Sequence, residues 1–129
     1  MRRFTAVAAL AGALILGVSA PAMAEVIIGT NGDDVIRAGN GPDIVRARAG
    51  DDLVHAQNSQ DEVYGQRGND SLWVDKGGNE FQHGGPGNDR LHDFARGGPG
   101  TLIGGGGFDR CFVDSRDKNT DCEVVIIVD

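Results

Sequence analysis

A nine-residue period carried by three separate columns restricts this chain more than any other feature. From Gly29 the sequence divides without a gap into Gly29–Arg37, Ala38–Arg46, Ala47–His55, Ala56–Tyr64, Gly65–Trp73 and Val74–Gln82. The fourth place reads Gly32, Gly41, Gly50, Ser59, Gly68 and Gly77. The sixth reads Asp34, Asp43, Asp52, Asp61, Asp70 and Asn79, and the eighth Ile36, Val45, Val54, Val63, Leu72 and Phe81. After Gln82 the register slips by one residue, read as an insertion at His83. Gly84–His92 is then a complete unit and Asp93–Arg96 a short insertion. Gly97–Ile103 is a unit that has lost two residues, its acid among them, and Gly104–Phe112 is complete again. A glycine-rich disordered linker would explain the 21 glycines but not three columns in one register.

Each column has a physical role. Glycine at the fourth place permits φ > 0 and close approach of backbone to an ion. Aspartate two places later supplies a hard anionic oxygen of the kind calcium prefers. The apolar residue two further on points inward in a short strand while its neighbours point outward. No such strand keeps its own face dry, so successive coils must stack.

These units resemble the GGxGxDxUx repeat, with U apolar, of the hemolysin-type (repeats-in-toxin, RTX) calcium-binding family, from about Gly29 to Phe112. The resemblance implies an all-β parallel β-roll, a right-handed β-solenoid, with six residues of each unit in a turn, three in a strand, and two units per coil. It implies Ca2+ as the cofactor. The residues expected to serve the metal are Gly32, Asp34, Gly41, Asp43, Gly50, Asp52, Asp61, Gly68, Asp70, Gly87, Asp89, Gly107 and Asp109. With two units per coil, Asp34, Asp52, Asp70, Asp89 and Asp109 form one row. Asp43, Asp61 and Asn79 form the other, followed by the unit without an acid. The first row is expected to be continuous and the second to decay, so that Asp52→Ala costs more than Asp61→Ala. Metal binding is expected to be part of the folding free energy.

The first 24 residues read as a secretory leader. Arg2 and Arg3 start it, Ala6–Val18 is its apolar stretch, and Ala22-Met23-Ala24 is a small-x-small cleavage site. The apolar run is too short for a span of ~20 residues. Three parts are therefore expected: 1–24 signal peptide, 25–112 β-roll, 113–129 capping tail, with secretion to the extracellular space. Removing the leader takes away two arginines and no acid, so the net charge falls from −7 to −9. So acidic a chain is a poor partner for nucleic acid or anionic membrane and a good one for cations. Large members of the family carry an effector domain and a C-terminal, uncleaved export signal. The N-terminal leader departs from that pattern, and toxin or protease activity is not carried over.

Cys111 and Cys122 are expected to form a disulfide in an exported protein, tying the tail to the last coil, with Val124–Val128 as a capping strand. Asp117–Asp121 starts like an EF-hand loop, but Cys122 stands where glycine is needed and Val128 where glutamate is needed, so it reads as a polar turn. His55, His83 and His92 have no metal-binding spacing and read as surface residues. Tyr64 and Trp73 occupy successive outward ninth places, one on each sheet, and could face a protein or glycan partner. No His-Glu-x-x-His, Gly-x-Ser-x-Gly or phosphate-binding loop is present. The expectation is a non-enzymatic calcium-binding protein. The rivals are an extracellular adhesion module and, more weakly, an accessory to a polysaccharide-active enzyme.

Overall fold

The computed structural model describes residues 3–6, 14–16, 24–57 and 60–129, with side chains from residue 24 onward. Fourteen short strands occur among them and no helix. In chain order they are β1 (Arg3–Ala6), β2 (Leu14–Leu16), β3 (Glu25–Ile28), β4 (Val35–Asn40), β5 (Ile44–Ala49), β6 (Leu53–Gln57) and β7 (Glu62–Arg67). Then follow β8 (Ser71–Asp75), β9 (Phe81–Pro86), β10 (Arg90–Asp93), β11 (Thr101–Gly106), β12 (Arg110–Val113), β13 (Lys118–Thr120) and β14 (Val124–Ile127). Odd-numbered strands form one seven-stranded sheet and even-numbered strands another, each stacked in sequence order. Neighbours in both sheets run parallel. The chain is thus a β-solenoid of about six turns.

The eighth-place residues form the core, as the period predicts. Val45 pairs with Val63 in the odd sheet, and Ile36 with Val54 and Val54 with Leu72 in the even sheet. All five are fully buried, together with Leu91, Leu102 and Cys111 further down. Ala38, Ala56 and Val74 add a second inward column beside them. Each buried Val, Leu or Ile contributes ~1.5–3 kcal/mol, so this is a narrow core with little in reserve.

The structure moves the register slip. Glu62 pairs with Phe81 and Tyr64 with His83, one residue more than the eighteen-residue coil. Asp75 still pairs with Gln57 at the regular spacing. The extra residue therefore lies in the turn between Asp75 and Glu80, and His83 is a regular strand residue of β9. Two assignments change with it. Gln82, not Phe81, points into the core and is fully buried, and Glu80, not Asn79, stands at the sixth place and is buried. Turns absorb an added residue at low cost, whereas a residue added in a strand would flip every side chain beyond it. Asn79 sits in the turn at φ 66°.

The tail also differs from expectation. Lys118–Thr120, read as a polar turn, is β13 and pairs with β11. Val124–Ile127 is β14 and covers β12, as a capping strand should. Residues 114–127 thus make one further coil. Cys111 and Cys122 are bonded across it, with Cα atoms 6.0 Å apart. At the other end, β1 and β2 pair with β3 and β4. Most of the proposed leader lies outside the described residues. No described helix is long and apolar enough to cross a membrane.

Candidate metal centre

The turns on the odd side repeat one hydrogen-bonding scheme. The backbone N–H of Asp34 donates to Oδ1 of Asp52 at 2.8 Å, one coil below. Asp52 donates likewise to Asp70 at 2.9 Å, Asp70 to Asp89 at 2.8 Å and Asp89 to Asp109 at 2.7 Å. Asp109 ends the row by donating to Oε2 of Glu123. The even side uses the same scheme: Glu25 donates to Asp43 and Asp43 to Asp61. Each row thus uses one carboxylate oxygen per coil as a rivet between turns.

The second oxygen is left over. Among the described residues, Oδ2 of Asp43, Asp52, Asp61, Asp70, Asp89 and Asp109 is buried with no hydrogen-bond partner. Asp34 is the exception: its carboxylate also accepts from the backbone and hydroxyl of Thr30. Burial, ahead of repulsion between neighbouring carboxylates, pushes Asp52, Asp61 and Asp89 up to about 7 and Asp70 to about 6. Asp43 and Asp109 are raised by burial too. A buried, unpaired ion costs several kcal/mol, and charges ~4.8 Å apart add roughly 1–3 kcal/mol of repulsion.

The glycine column lies alongside. Gly50, Gly68, Gly87 and Gly107 have φ between 120° and 146°, which a side chain would strain. A Cβ on Gly50 would strike the carbonyl of Gly32, and on Gly68, Gly87 and Gly107 the carbonyl of the glycine one coil above. The predicted residues Gly32, Gly50, Gly68, Gly87 and Gly107 therefore stack in one column, while the Oδ2 atoms of Asp70, Asp89 and Asp109 lie against the first-place glycines Gly65, Gly84 and Gly104, where a Cβ would strike them. Gly41 is buried in the first even-side turn.

These surroundings fit a hard cation. The free groups are carboxylate and carbonyl oxygens, the donor set of calcium. Among the described residues, no three His, Cys, Asp or Glu side chains converge on one point. A cation here would take carboxylate from the row and complete its shell with backbone carbonyls of the turns.

Two features escaped the sequence reading. A second, exposed ladder runs through the fifth places: Asp51 donates to Asp33, Asn69 to Asp51, Asn88 to Asn69 and Phe108 to Asn88 through backbone N–H. The recurrence of Asp or Asn before the sixth-place acid was its signal. The other is His92, expected at the surface. It is 7% exposed, and its ring lies stacked between Trp73 (3.9 Å) and Phe112 (4.1 Å). Tyr64 instead packs on Phe81 and His83.

Comparison with protein families gives four overlapping matches to the RTX calcium-binding nonapeptide repeat, at residues 23–54, 38–72, 48–81 and 74–95. Together they span residues 23–95, more than half of the chain. Searches of curated proteins and of solved structures give no match.

Proposed function

We propose that this chain, which belongs to the RTX calcium-binding nonapeptide repeat family, is an exported protein whose calcium binding drives its folding. The observation that carries the reading is the row of buried, unpartnered Oδ2 atoms on Asp43, Asp52, Asp61, Asp70, Asp89 and Asp109. The calcium-binding residues on this reading are those six aspartates with Asp34, and the turn glycines Gly32, Gly41, Gly50, Gly68, Gly87 and Gly107. Calcium supplies positive charge where the fold concentrates negative charge. The protein's part is to hold Oδ1 of Asp43, Asp52, Asp61, Asp70, Asp89 and Asp109 by a backbone N–H, which leaves each Oδ2 free for a cation. Without metal the repulsion and the desolvation of the rows oppose the narrow core, so binding and folding are linked. The role is binding and not catalysis, since the repeat already accounts for the carboxylates.

Export rests on the leader read in residues 1–24. Intact mass of secreted material should correspond to a chain beginning at Glu25. The folding reading is tested by far-ultraviolet circular dichroism of the chain from Glu25 onward. In chelator at pH 8 it should lack β signal, and millimolar calcium should restore it while magnesium does not. A spectrum unchanged by calcium would sink the proposal. An interaction role is favoured separately by the outward stack of Trp73, His92 and Phe112, beside which Phe94 and Leu53 are exposed.

A further inference from the structure

The even-side row does not end where the repeat consensus loses its acid. Asp43, Asp61 and Glu80 each stand just before the paired residues Ile44, Glu62 and Phe81. Gly100 stands just before Thr101, which pairs with Phe81, so Gly100 holds the sixth place of the next turn. The space that a side chain there would fill is already taken. A Cβ on Gly100 would strike Oδ2 of Asp93, and Oδ1 of Asp117 lies 3.6 Å from the same point. Asp93 comes from the opposite end of the turn. It pairs with Val74, itself paired with Ala56, at an inward position of β10. An aspartate in that apolar column has no packing rationale.

Its surroundings are acidic and unsatisfied. Asp93 accepts from the Ala95 backbone through Oδ1, at 2.8 Å. Its Oδ2, both carboxylate oxygens of Glu80 and Oε1 of Gln82 are buried without a hydrogen-bond partner. These three residues are 1%, 2% and 0% exposed. Gln82 donates through Nε2 to the carbonyl of His92, the residue before Asp93, at 3.0 Å. Asp114 and Asp117 add negative charge close by, though Arg116 pairs with Asp114. A cavity of about 340 Å³ lined by Asp93, Asp114, Arg96 and Arg116 opens beside the cluster.

We propose that Glu80 and Asp93, with Oε1 of Gln82, hold a further calcium ion, using an acid from the first place of the turn in place of the missing sixth. This rests on the calcium-binding reading above, but the ligands lie outside the repeat consensus. Gly100 is not among the glycines with left-handed φ, so an aspartate fits there once Asp93 is removed.

The test is native mass spectrometry of the calcium-saturated protein, with circular dichroism as the check of folding. Asp93→Asn should carry one ion fewer than the unaltered chain while keeping its calcium-induced β signal, and Glu80→Gln should do the same. The double variant Asp93→Gly/Gly100→Asp returns the acid to the sixth place and should regain the ion. An ion count unchanged by Asp93→Asn would overturn the site and leave the parent reading standing. No ions on the unaltered chain would overturn both. If Asp93→Asn does not fold in calcium, the double variant decides: restored folding and ion count support the site, and failure to restore them overturns it.

Discussion

Each row aspartate but Asp34 gives one oxygen to a structural hydrogen bond and leaves the other without a partner. Oδ1 of Asp52, Asp70 and Asp89 satisfies a backbone N–H of the coil above, and Oδ2 has no partner. An amide could therefore replace the rivet but not the charge, and Asp70→Asn should weaken calcium binding by at least tenfold while leaving the calcium-saturated spectrum intact. A calcium titration of both proteins at one ionic strength checks this, and equal midpoints would contradict it. A different strain sits at the second place of the odd turns. Gly85 and Gly105 have φ 106°, but Arg48 and Gln66 occupy the same place at 88° and 78°. A side chain in left-handed space costs about 1–2 kcal/mol, and glycine gives back about 0.5–1 kcal/mol through the entropy of the unfolded chain. Gln66→Gly should thus stabilise the calcium-bound protein by about 0.5–1 kcal/mol in denaturant melts, whereas a loss of stability would argue against the strain. At this scale the sequence was legible wherever a column kept one chemical type, and ambiguous at residues 79–82. There Asn79 and Glu80 compete for the acidic place and Phe81 and Gln82 for the inward one. Hydrophobicity favours Phe81. The outcome follows from the Gln82 amide finding the His92 carbonyl and from the turn absorbing the extra residue.

At the scale of the element, a strand here is one rung, and its stability comes from the rungs on either side. The terminal coil has a neighbour on one side only. The bond between buried Cys111 and Cys122 compensates by fixing β13 and β14 to the coil above. Closing a loop of 11 residues stabilises by about 2–3 kcal/mol. Cys111→Ala/Cys122→Ala should therefore lower the calcium-bound melting temperature and expose 114–129 to proteolysis while the upper coils stay protected. An unchanged melt and digestion pattern would show that β-pairing alone holds the tail. The strands of the repeats could be read from the period because each needs three residues in register. β13 could not, because Lys118-Asn119-Thr120 has no apolar alternation and is wholly exposed. It forms because β11 offers an unpaired edge, and the Lys118 N–H donates to the Gly100 carbonyl at 3.0 Å. The same edge logic explains Glu123, which stands in for the sixth-place aspartate below Asp109 although no repeat unit surrounds it.

Across the whole molecule, two acidic rows flank one thin core, and the sequence revealed that plan through its eighteen-residue coil. Glu80, not Asn79, stands at the sixth place of the even row, but neither of its carboxylate oxygens accepts a hydrogen bond, so the even-side rivets stop at Asp61 while the odd-side rivets run on through Asp109 to Glu123. Asp52 is riveted to an aspartate above and another below, whereas Asp61 has an aspartate partner only above, so Asp52→Ala should cost more calcium affinity than Asp61→Ala in titrations at one ionic strength, and equal midpoints would contradict this. The rows also set the response to pH. Aspartate in an unfolded chain titrates near 3.9, while burial pushes Asp52, Asp61, Asp89 and Asp93 to about 7 and Asp70 to about 6. With raised values the calcium-free fold binds more protons than the unfolded chain. Its stability from these groups is fully present below about pH 4 and is lost as pH rises through 6 to 7. On the proposed reading, protons do at acid pH part of what calcium does at neutral pH, namely remove the repulsion along the rows. Because the carboxylates interact, the loss should be spread over more than one pH unit and belong to the rows jointly. Metal-free protein followed by circular dichroism should therefore show more β signal at pH 5 than at pH 8, with its midpoint between 6 and 7. Saturating calcium should abolish the difference above pH 7, and calcium added near pH 6.5 should release protons detectable in a weakly buffered solution. A metal-free signal that is flat, or that rises with pH, would mean that the buried carboxylates do not control the folding of the roll.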